Sequence, residues 1–390
     1  MKERLAELIV CPVDGTALEL RVWESHRVEL SDDDRDRAGR ISVDPGLLSH
    51  EIVTGVLLNR ARKILYPIHA GVPRMLTYPT GVAREFLRRH QSRLRQDLPG
   101  FHAPDREPPT GEETVLRTFS SEWVNYDWDG KTYWNIDPER MFASMRFMLD
   151  LEHHPIRDRL VLEVGIGIGG IADYMASHEG AEMIGVDLGY AVDAAYRNFG
   201  RNRFLHIVQA SAFAPPFAPS TFDFVYSQGV IHHTSSTITA FGQLARLPKI
   251  NGRLYIWVYS PTSEDRSFLR RSLMKMENAL RPLIWPLPES LQRIALLPIV
   301  PLYLIHQNLL VRRREDHYIR YGWREALHAA RDRFTPRYAF RHSESEVCRW
   351  FREAGYSDIQ VASGRERPET VPPGFTIATA VDGVRTDETK

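Results

Sequence analysis

A glycine-rich turn that directly follows an apolar strand is the feature that most constrains the fold of this chain. Residues 159–170 read RLVLEVGIGIGG, an apolar run that ends in closely spaced glycines and leads into a helical pattern. Gly165, Gly167 and Gly169 allow the backbone to turn tightly and to approach a ligand that a Cβ atom would keep away. The sequence therefore predicts a strand–turn–helix unit whose turn faces a bound nucleotide, and a glycine pattern alone says no more than that.

Beyond the turn, apolar strands alternate regularly with helical stretches. Strands and helices of this length in alternation form a parallel sheet that helices cover on both faces. A helix over 343–354 and β-like runs at 359–362 and 375–381 would complete a seven-stranded, mostly parallel, doubly wound α/β sheet. The predicted strands of the core are 160–164, 183–187, 204–209, 222–227 and 253–259, and its predicted helices are 169–178, 190–199 and 236–247.

Charge and cysteine usage argue against several classes of protein. The 390 residues carry a formal net charge of +0, whereas nucleic-acid binders usually show a basic domain or stripe, so no nucleic-acid partner is expected. Cys11 and Cys348 lie far apart in sequence, which argues against a disulfide framework and fits a reducing cytoplasm. The N-terminal stretch has no signal-peptide pattern, and the most apolar stretch, 283–310, is interrupted by prolines and charges. We therefore expect a cytoplasmic protein without a membrane span.

Composition also divides the chain into segments. Short β-like runs at 17–22 and 62–67 predict a small β-rich module, and the acidic, arginine-rich stretch 31–40 inside it predicts a solvated loop. A polar, proline-rich stretch after this module is the best candidate for a linker. The resulting organisation is a module at 1–78, a linker at 79–112, a core with an aromatic N-terminal segment at 113–260, a helical insertion at 261–342 and a C-terminal helix and hairpin at 343–390.

Characteristic residues follow the other predicted strands at the same edge of the sheet. Asp187 closes the second strand, where a carboxylate can accept hydrogen bonds from both ribose hydroxyls of a nucleoside. The third strand ends in QASAF, and the fourth is followed by GVIHHT. Together with the glycine turn, these motifs resemble the class I S-adenosylmethionine-dependent methyltransferase family over about residues 159–260. The resemblance implies a Rossmann-like methyltransferase fold, S-adenosylmethionine as the cofactor and methyl transfer as the activity.

The resemblance also implies where each part of the cofactor lies. Glu163 would lie near its amino-acid part, Asp187 on its ribose and Ser211 by its adenine. Many family members have an acid at the position of Ser211 that binds the adenine amino group; here the serine hydroxyl or the backbone of Phe213 would replace it. The residues implied in cofactor binding are Glu163, Gly165, Gly167, Gly169, Asp187, Leu188, Ser211, Ala212, Phe213, Ser227 and Gly229, with His232 also lining the pocket floor.

An aromatic segment, FSSEWVNYDW, precedes the core. Phe119, Trp123 and Tyr126 follow the form F-x-x-x-W-x-x-Y of many small-molecule members, in which this segment folds over the cofactor. Aromatic rings attract cations, so these side chains would bind beside the sulfonium and shield it. The alternative is that they are core residues of an N-terminal helix.

Two histidines are candidates for a catalytic base. Methyl transfer from a sulfonium is an in-line displacement, for which the enzyme aligns the nucleophile and, where needed, removes a proton. His232 and His233 follow the fourth strand, at the edge towards which the methyl group would point, and histidine titrates near neutral pH. Alternatively, one of them packs beneath the cofactor and the other caps the helix that begins near residue 235.

The insertion at 261–342 resembles the helical cap of methyltransferases that act on small molecules. It ends in a D-x-x-x-P-x-Y-x-x-x-H-[ST] signature, in which Tyr338 and His342 are candidates for contact with the acceptor and for catalysis, and His317 and Tyr318 are further candidates for contact. An apolar cap implies that the acceptor is a partly hydrophobic small molecule. For its apolar stretch, a membrane-surface or dimer-forming element is the alternative, and a homodimer is therefore considered.

The N-terminal module resembles the zinc ribbon of Trm112-like proteins, with LAELIVCPVDGTALEL and YPIHAGVPRML as the matching stretches. Of the cysteine pairs of that family only Cys11 is present; Asp14 stands at the second position, and 59–63 contains no cysteine. Structural zinc needs four nitrogen or sulfur ligands, so we predict no metal and a module held by apolar packing. In that family the module binds and activates methyltransferases. Here it would cover the active site, form a dimer contact or be a degenerate structural appendage.

The leading functional hypothesis is methyl transfer to an oxygen, nitrogen or carbon of a partly hydrophobic small molecule, in secondary metabolism such as antibiotic biosynthesis. The zinc-ribbon-like module motivates a second hypothesis, methylation of RNA or protein, which the neutral charge and the apolar insertion oppose. The third is an S-adenosylmethionine-binding protein with a scaffold or non-methylating role. The intact Glu163, the glycines and Asp187 argue against a vestigial site.

Overall fold

A computed structural model describes residues 1–123, 138–261, 268–311, 320–366, 368, 371 and 378–386 of the chain. These residues form one sheet of four strands and one of seven, with helices around them. The strands in chain order are β1 (Glu19–Arg27), β2 (His50–Asn59), β3 (Ile64–His69), β4 (Val72–Pro73), β5 (Leu160–Val164), β6 (Glu182–Asp187), β7 (Leu205–Gln209), β8 (Phe222–Gln228), β9 (Pro248–Val258), β10 (Tyr356–Val361) and β11 (Thr379–Arg385). The helices are α1 (Asp32–Arg40), α2 (Pro45–Ser49), α3 (Gly81–Arg89), α4 (Gln91–Asp97), α5 (Glu112–Trp123), α6 (Pro138–Met148), α7 (Gly170–Ser177), α8 (Ala191–Phe199), α9 (Thr237–Ala245), α10 (Phe268–Ile284), α11 (Glu289–Leu296), α12 (Val300–Ile305), α13 (Trp323–Phe334) and α14 (Glu344–Glu353).

The large sheet has the strand order β10-β11-β9-β8-β5-β6-β7. Strands β5 to β9 are parallel to one another, and β11 runs antiparallel between β9 and β10. Helices α7, α8 and α9 lie in connections between parallel strands, which need a crossover of this kind. The predicted seven-stranded, doubly wound α/β fold is confirmed, and β9 begins earlier than expected, at Pro248.

Both faces of the large sheet are buried, which explains the near-continuous apolar runs in its central strands. On β5, Leu162 and Val164 belong to one apolar core, whereas Val161 belongs to the core on the opposite face. The same alternation separates Ile184 from Met183 on β6. With both faces covered, a ligand can reach this sheet only at the ends of its strands.

The four-stranded sheet, β1-β2-β3-β4, is antiparallel and packs against the β7 edge of the large sheet. Leu5 of the module and Val208 of β7 belong to one apolar core. Just after β4, Arg74 forms a parallel bridge with Gln209, and the N–H of Met75 donates to the Gln209 carbonyl at 2.8 Å. The small module is therefore continuous with the core at this edge.

Charged side chains are buried in the same junction. Glu51 accepts hydrogen bonds from Arg203 at 2.9 Å and from the Tyr196 hydroxyl at 2.6 Å. Lys2 donates to the carbonyl of Gly200 at 3.0 Å. Burial raises the pKa of Glu51, but the charges of Lys2 and Arg203 outweigh this effect and lower it to about 2. Paired charges as well as apolar contacts therefore hold the two sheets together.

The acidic stretch 31–40, predicted as a solvated loop, forms helix α1 instead. Its N-terminus is capped: the hydroxyl of Ser31 accepts from the Asp34 N–H at 3.1 Å, and the Asp34 carboxylate accepts from the Ser31 N–H at 3.0 Å. Arg37 is buried, donates to the carbonyl of Ala181 at 2.6 Å and lies 3.8 Å from the ring centroid of Phe204. The long side chain of an arginine thus supplies the contact surface that the polar composition of this stretch conceals.

The stretch 79–112, interpreted as a linker, contains helices α3 and α4 and the first residue of α5. Phe86 of α3 stacks on Trp23 of β1, with ring centroids 5.4 Å apart, and Leu98 joins the same apolar cluster. A few apolar side chains thus fold this polar stretch onto the small sheet, so its composition alone is misleading.

A polar cluster occupies the part of the module where the zinc-ribbon resemblance has metal ligands. Cys11 is buried, and its sulfur lies 3.2 Å from the hydroxyl of Tyr66. The Asp14 carboxylate accepts hydrogen bonds from the Asn59 amide at 3.0 Å and from Arg62 Nε at 2.5 Å. In the described residues no group of three or more His, Cys, Asp or Glu side chains could hold a metal ion. Hydrogen bonds stabilise this end of the module in addition to the apolar packing that the sequence predicts.

The insertion forms a helical unit with an apolar core of its own. Leu296, Val300 and Phe334 are fully buried where α11, α12 and α13 meet. Other large apolar side chains of this unit remain exposed, among them Leu283 and Ile294. Across the described ranges, no helix is long and apolar enough to cross a bilayer.

The substitution Glu51→Gln tests the charged junction. It removes the counter-charge of Arg203 and Lys2 while keeping the shape of the side chain. We expect a loss of about 3–5 kcal/mol in the free energy of unfolding, because a buried cation is left without its partner. Urea denaturation measures it, with Glu85→Gln as the control, since Glu85 pairs with Arg88 at the surface. Unfolding of Glu51→Gln at the urea concentration of the parent would contradict the junction as described.

Candidate functional site

The segments that follow β5, β6, β7 and β8 meet at the edge of the large sheet that is formed by the carboxyl ends of its parallel strands. These four strands are parallel neighbours, so their carboxyl ends lie side by side. Open α/β sheets bind ligands at this edge. The sequence-predicted cofactor residues lie at the ends of these strands or just after them; the exceptions are Phe119 and Trp123, which belong to α5, and Tyr126, which is outside the described residues.

The glycine turn after β5 has the backbone conformation that its sequence predicts. Gly165, Gly167 and Gly169 have φ angles of 92°, 53° and 90°, a region that favours glycine. A Cβ atom on Gly165 would lie 2.1 Å from the side chain of Val230, so the turn is packed on that side. A Cβ on Gly167 would meet no atom within 4 Å. The turn is thus open at Gly167, where a ligand can approach the backbone.

Asp187, at the end of β6, holds this turn in place. Its Oδ2 accepts a hydrogen bond from the Gly167 N–H at 3.1 Å, and its Oδ1 accepts one from the Gly189 N–H at 2.8 Å. Burial raises the pKa of Asp187, although these backbone hydrogen bonds act against the rise. Each carboxylate oxygen keeps a second lone pair, which leaves capacity to accept from ribose hydroxyls.

Glu163 is the other acid at the turn. It is 3% exposed, and within the described residues its Oε2 atom has no hydrogen-bond partner. Burial raises its pKa to about 8; the nearby hydroxyl of Tyr226 acts against this rise, and the charge of Asp187 adds to it. A buried carboxyl with an unused oxygen is costly for the fold alone and suits the ammonium group of a ligand.

The ends of β7 and β8 complete the edge. The hydroxyl of Ser211 accepts from the Phe213 N–H at 3.0 Å and donates to the carboxylate of Glu112. Ser227 is buried, and its hydroxyl donates to the carbonyl of Val164 at 3.2 Å, which ties β8 to β5. The remaining predicted residues of this edge are Leu188, which accepts a hydrogen bond from the Gln209 amide, half-buried Ala212, and Gly229 with a φ of 76°.

Helix α5 lies across this edge. The hydroxyl of Ser120 accepts from the N–H of Tyr190, just beyond Asp187, at 2.9 Å. The ring of Phe119 lies 5.2 Å from that of His233, measured between centroids. Glu112 contacts Ser211 from the other end of the helix. The segment predicted to cover the ligand begins in helix α5, which reaches three of the four strand ends; the side chain of Trp123 and all of Tyr126 lie outside the described residues.

The two histidines have different surroundings. His232 is fully buried and packs against Tyr259 with ring centroids 4.0 Å apart, and neither of its ring nitrogens has a hydrogen-bond partner among the described residues. His233 Nδ1 lies 2.8 Å from the Tyr338 carbonyl, which can only accept, so Nδ1 carries the proton and Nε2 keeps its lone pair. Burial lowers the pKa of both rings, most strongly that of His232. Neither caps the following helix, because the hydroxyl of Ser236 does so.

The signature at the end of the insertion is placed beside these histidines. Asp332 Oδ2 accepts from the Tyr259 hydroxyl at 2.7 Å. The backbone of Tyr338 binds His233, and its ring packs against Gly111, next to the start of α5. Both ring nitrogens of His342 are engaged, Nδ1 with Glu346 and Nε2 with Thr237, each at 3.0 Å, which favours a positioning role over catalysis. His317 and Tyr318, the other predicted acceptor contacts, lie outside the described residues.

Two residues at this edge escaped the sequence interpretation, Glu112 and Tyr259. Glu112 lies seven residues before Phe119, which places both on one face of a helix, but the linker interpretation ended at residue 112 and separated them. Tyr259 closes the fifth predicted strand and had no motif of its own. Its contact with Asp332 depends on the return of the chain after the insertion, which no local pattern shows.

Comparisons with known proteins assign both parts of the chain. Residues 162–256 match a methyltransferase domain, and residues 2–71 match the Trm112p-like family. The family resemblance seen in the sequence is confirmed: the chain combines an S-adenosylmethionine-dependent methyltransferase domain with a Trm112-like module. S-adenosylmethionine is the cofactor of this class, and the open glycine turn with the unpartnered Glu163 oxygen fits it.

Individual relatives are similar to parts of the chain. A malonyl-[acyl-carrier protein] O-methyltransferase of Legionella pneumophila is 28% identical over 154 residues, which are 39% of this chain and 52% of that protein. Phosphoethanolamine N-methyltransferase 1 of Triticum aestivum is 29% identical over 118 residues, 28% of this chain and 24% of that protein. The chain thus spans about half the length of the first relative and less of the second. The structure of phosphoethanolamine N-methyltransferase 2 of Haemonchus contortus is similar with a TM-score of 0.41 and 15% identity, over 73% of this chain and 62% of that one.

The buried state of Glu163 predicts a pH dependence of stability in the ligand-free chain. Its pKa is about 8 when folded and about 4.3 when unfolded, so the unfolded chain loses this proton first as the pH rises. Its contribution to stability therefore falls between about pH 4.5 and pH 8. We expect Glu163→Gln to gain about 2–4 kcal/mol over the parent between pH 5 and pH 8 in urea denaturation. Glu113→Gln, at an exposed position, should show the same free energy of unfolding as the parent at each pH. If the difference in free energy of unfolding between Glu163→Gln and the parent does not change with pH, the prediction is wrong.

The variant Asp187→Ala should lose affinity for S-adenosylhomocysteine by about 100-fold or more. It removes the expected acceptor for the ribose hydroxyls and the support of Gly167, and each charged hydrogen bond is worth about 1.5–3 kcal/mol. Isothermal titration calorimetry measures the change. Asp223→Ala is the matched control, because Asp223 also accepts a backbone hydrogen bond, from Leu160, but at the start of β8. Equal affinities of parent and Asp187→Ala would remove Asp187 from the site.

Proposed function

We propose that this chain transfers the methyl group of S-adenosylmethionine to an oxygen, nitrogen or carbon of a partly hydrophobic small molecule. The observation that carries the proposal is the meeting of the glycine turn, Glu163 and Asp187 at one strand edge beneath α5. The proposed cofactor contacts remain those implied by the family resemblance. Glu163 would bind the ammonium group, Asp187 the ribose and the end of β7 the adenine.

The acidic character of this edge supports a cationic ligand. Glu163, Asp187 and Glu112 are the acids there, and burial raises the pKa of each of them, that of Glu163 to about 8 and that of Glu112 to about 7. A ligand with positive charge stabilises the ionised forms of these carboxyls, because opposite charges lower a raised pKa. The sulfonium and the ammonium group of S-adenosylmethionine both carry such a charge.

Among the residues of this chain, His233 is the best candidate for the base. When bound, the cofactor supplies a methyl group that is already activated, so alignment of the acceptor provides most of the acceleration. The hydrogen bond to Tyr338 fixes the ring of His233 with an unprotonated Nε2, and burial keeps it neutral. His232 has no hydrogen bond to orient it among the described residues and fills the space between His233 and Tyr259. We therefore assign His232 to packing and Phe119 to the cover over the sulfonium.

The insertion supports an acceptor that is partly apolar, since its helices enclose an apolar core next to Tyr259 and Tyr338. Its exposed side chains, such as Leu283 and Ile294, also suit the alternative of a dimer-forming or membrane-surface element.

The relatives named above act, by their names, on a malonyl acyl-carrier protein and on phosphoethanolamine, which are different acceptors. We further propose that the chain acts in secondary metabolism and that it does so in the cytoplasm. The free, buried cysteines Cys11 and Cys348 fit the reducing conditions of that compartment.

An acceptor screen tests the function. The full-length chain is incubated with S-adenosylmethionine and separate pools of carboxylic acids, phenols, amines, transfer RNA and unfolded protein, and S-adenosylhomocysteine is quantified by mass spectrometry. We expect turnover with a small-molecule pool that contains apolar groups. Turnover with RNA or protein only would favour the second hypothesis, and binding without turnover in any pool would favour the third.

With the acceptor so identified, His233→Ala should lower kcat by about 10²- to 10⁴-fold, the usual contribution of a general base. Its affinity for S-adenosylhomocysteine should stay within about 3-fold of the parent, because the ring is proposed to act on the acceptor. His232→Phe keeps an aromatic ring in the buried stack and should retain kcat within about tenfold. If both variants turn over like the parent, alignment alone suffices and the base assignment falls.

A further inference from the structure

A buried carboxyl that the sequence interpretation did not use lies at the end of β7. Glu112, the first residue of α5, is 5% exposed, and its Oε1 accepts a hydrogen bond from the hydroxyl of Ser211. Its Oε2 is buried and accepts no well-formed hydrogen bond among the described residues, and the nearby hydroxyl of Tyr78, also buried, has no such bond either. Buried polar atoms that the fold leaves without hydrogen bonds cost stability, so a ligand that bonds to Oε2 would offset this cost.

The carboxyl of Glu112 lies beside Ser211, the position at which many family members have an acid. The family resemblance places the adenine at Ser211, and many members have an acid there for the amino group of the base. In this chain the Ser211 hydroxyl is engaged on both sides, donating to Glu112 and accepting from the Phe213 N–H at 3.0 Å. The acid that is missing in sequence at residue 211 is therefore present in space, supplied by a helix 99 residues earlier.

The electrostatics of Glu112 agree with a ligand-binding role. Burial raises its pKa to about 7, although the hydroxyls of Ser211 and Tyr78 act in the opposite direction. No cation is among the groups that shift it, so within the described residues the carboxyl is not neutralised by an ion pair. A purely structural acid at the start of a helix would normally be solvated, as its exposed neighbour Glu113 is.

The geometry of α5 places Glu112 at a suitable distance from the methyl-transfer end of the site. Glu112 and Phe119 are seven residues apart and face the same side of the helix, so they are about 10 Å apart along its axis. Phe119 contacts His233, and Glu112 contacts Ser211. One helical face thus spans the edge from the β8 end to the β7 end, which corresponds to the length of an adenosine unit.

We propose that Glu112 is the residue that recognises the adenine of the cofactor, its Oε2 accepting a hydrogen bond from the 6-amino group while Ser211 holds its Oε1. The inference rests on the proposed function in that the cofactor must bind at this edge. It assigns to α5 a role in cofactor specificity in addition to covering the sulfonium. The acid has moved from the strand end to the helix that packs over it, and Ser211 has become its support.

Binding of two ligands that differ only in the 6-substituent tests this assignment. S-adenosylhomocysteine carries the amino group, and its 6-deamino analogue, with purine in place of adenine, has a C–H there, which cannot donate a comparable hydrogen bond to a carboxylate. Calorimetry on the full-length chain should show that the parent prefers S-adenosylhomocysteine by about 10-fold or more. Glu112→Met, similar in shape but without an acceptor, should lose at least about 10-fold in affinity for S-adenosylhomocysteine and most of the preference. Glu113→Met is the matched control and should behave as the parent.

A restoration experiment separates recognition from structural support. The double variant Glu112→Met/Ser211→Asp returns the acid to the strand end, and we expect it to regain both affinity and preference for the amino-bearing ligand. Ligand-free Glu112→Met should melt no lower than the parent, because replacing a buried carboxyl by an apolar side chain of similar size offsets the loss of the hydrogen bond from Ser211. A lower melting temperature together with no restoration would show that Glu112 is structural, and would overturn the proposal.

The outcomes distinguish an error in the assignment of Glu112 from an error in the proposed function. If Glu112→Met binds both ligands as the parent does, the assignment of Glu112 is wrong while the cofactor site stands. If the parent binds neither ligand, the proposed function itself is wrong. Should Glu112→Met not fold, Glu112→Gln carries the test: it is nearly isosteric, lacks the charge, and should lose about 3-fold or more in affinity for S-adenosylhomocysteine. Unchanged affinity in that variant would contradict the proposal.

Discussion

The candidate site at the carboxyl ends of the strands depends on the hydrogen bonds that the carboxylate of Asp187 accepts. This carboxylate accepts one backbone N–H from the glycine turn and another from the segment after β6, so two loops from neighbouring strands are fixed by one side chain. The positive φ angles of the glycines set the shape of the turn. The hydrogen bond from Gly167 to Asp187 then fixes the position of the turn relative to β6. Helix α5 then rests on the same segment through Ser120 and Tyr190. The glycine turn, the segment after β6 and helix α5 are therefore parts of one connected arrangement.

Elements with a local signal were predictable from the sequence. The alternation of strands and helices and the glycine turn depend on residues within a few positions of one another, and the core strands are found where they were predicted. Helix α1 was missed because its large contact with the core is made by the guanidinium group of Arg37, and its only buried apolar side chain among the described residues is the small Ala38. The helices α3 and α4 were missed because a few residues, Phe86 among them, fold an otherwise polar stretch.

The candidate site was only partly predictable, for a related reason. Glu163, the glycines and Asp187 carry recognisable motifs, and the structure brings them together. The pairing of Glu112 with Ser211 joins positions 99 residues apart, and no spacing in the sequence shows it. His232 and His233 are adjacent in sequence, and only their hydrogen bonds distinguish a fixed, unprotonated nitrogen from a ring that fills space.

The placement of the N-terminal module also determines how the large sheet ends. A strand at the edge of a sheet exposes unpaired N–H and C=O groups that can recruit another chain. At the β7 edge these groups face the module, and Arg74 and Met75 pair with Gln209. At the other edge, the register of β10 against β11 shifts between Ser357 and Gln360, an irregularity of the kind that discourages further pairing. Addition of a strand from another copy is thus disfavoured at both edges of the large sheet.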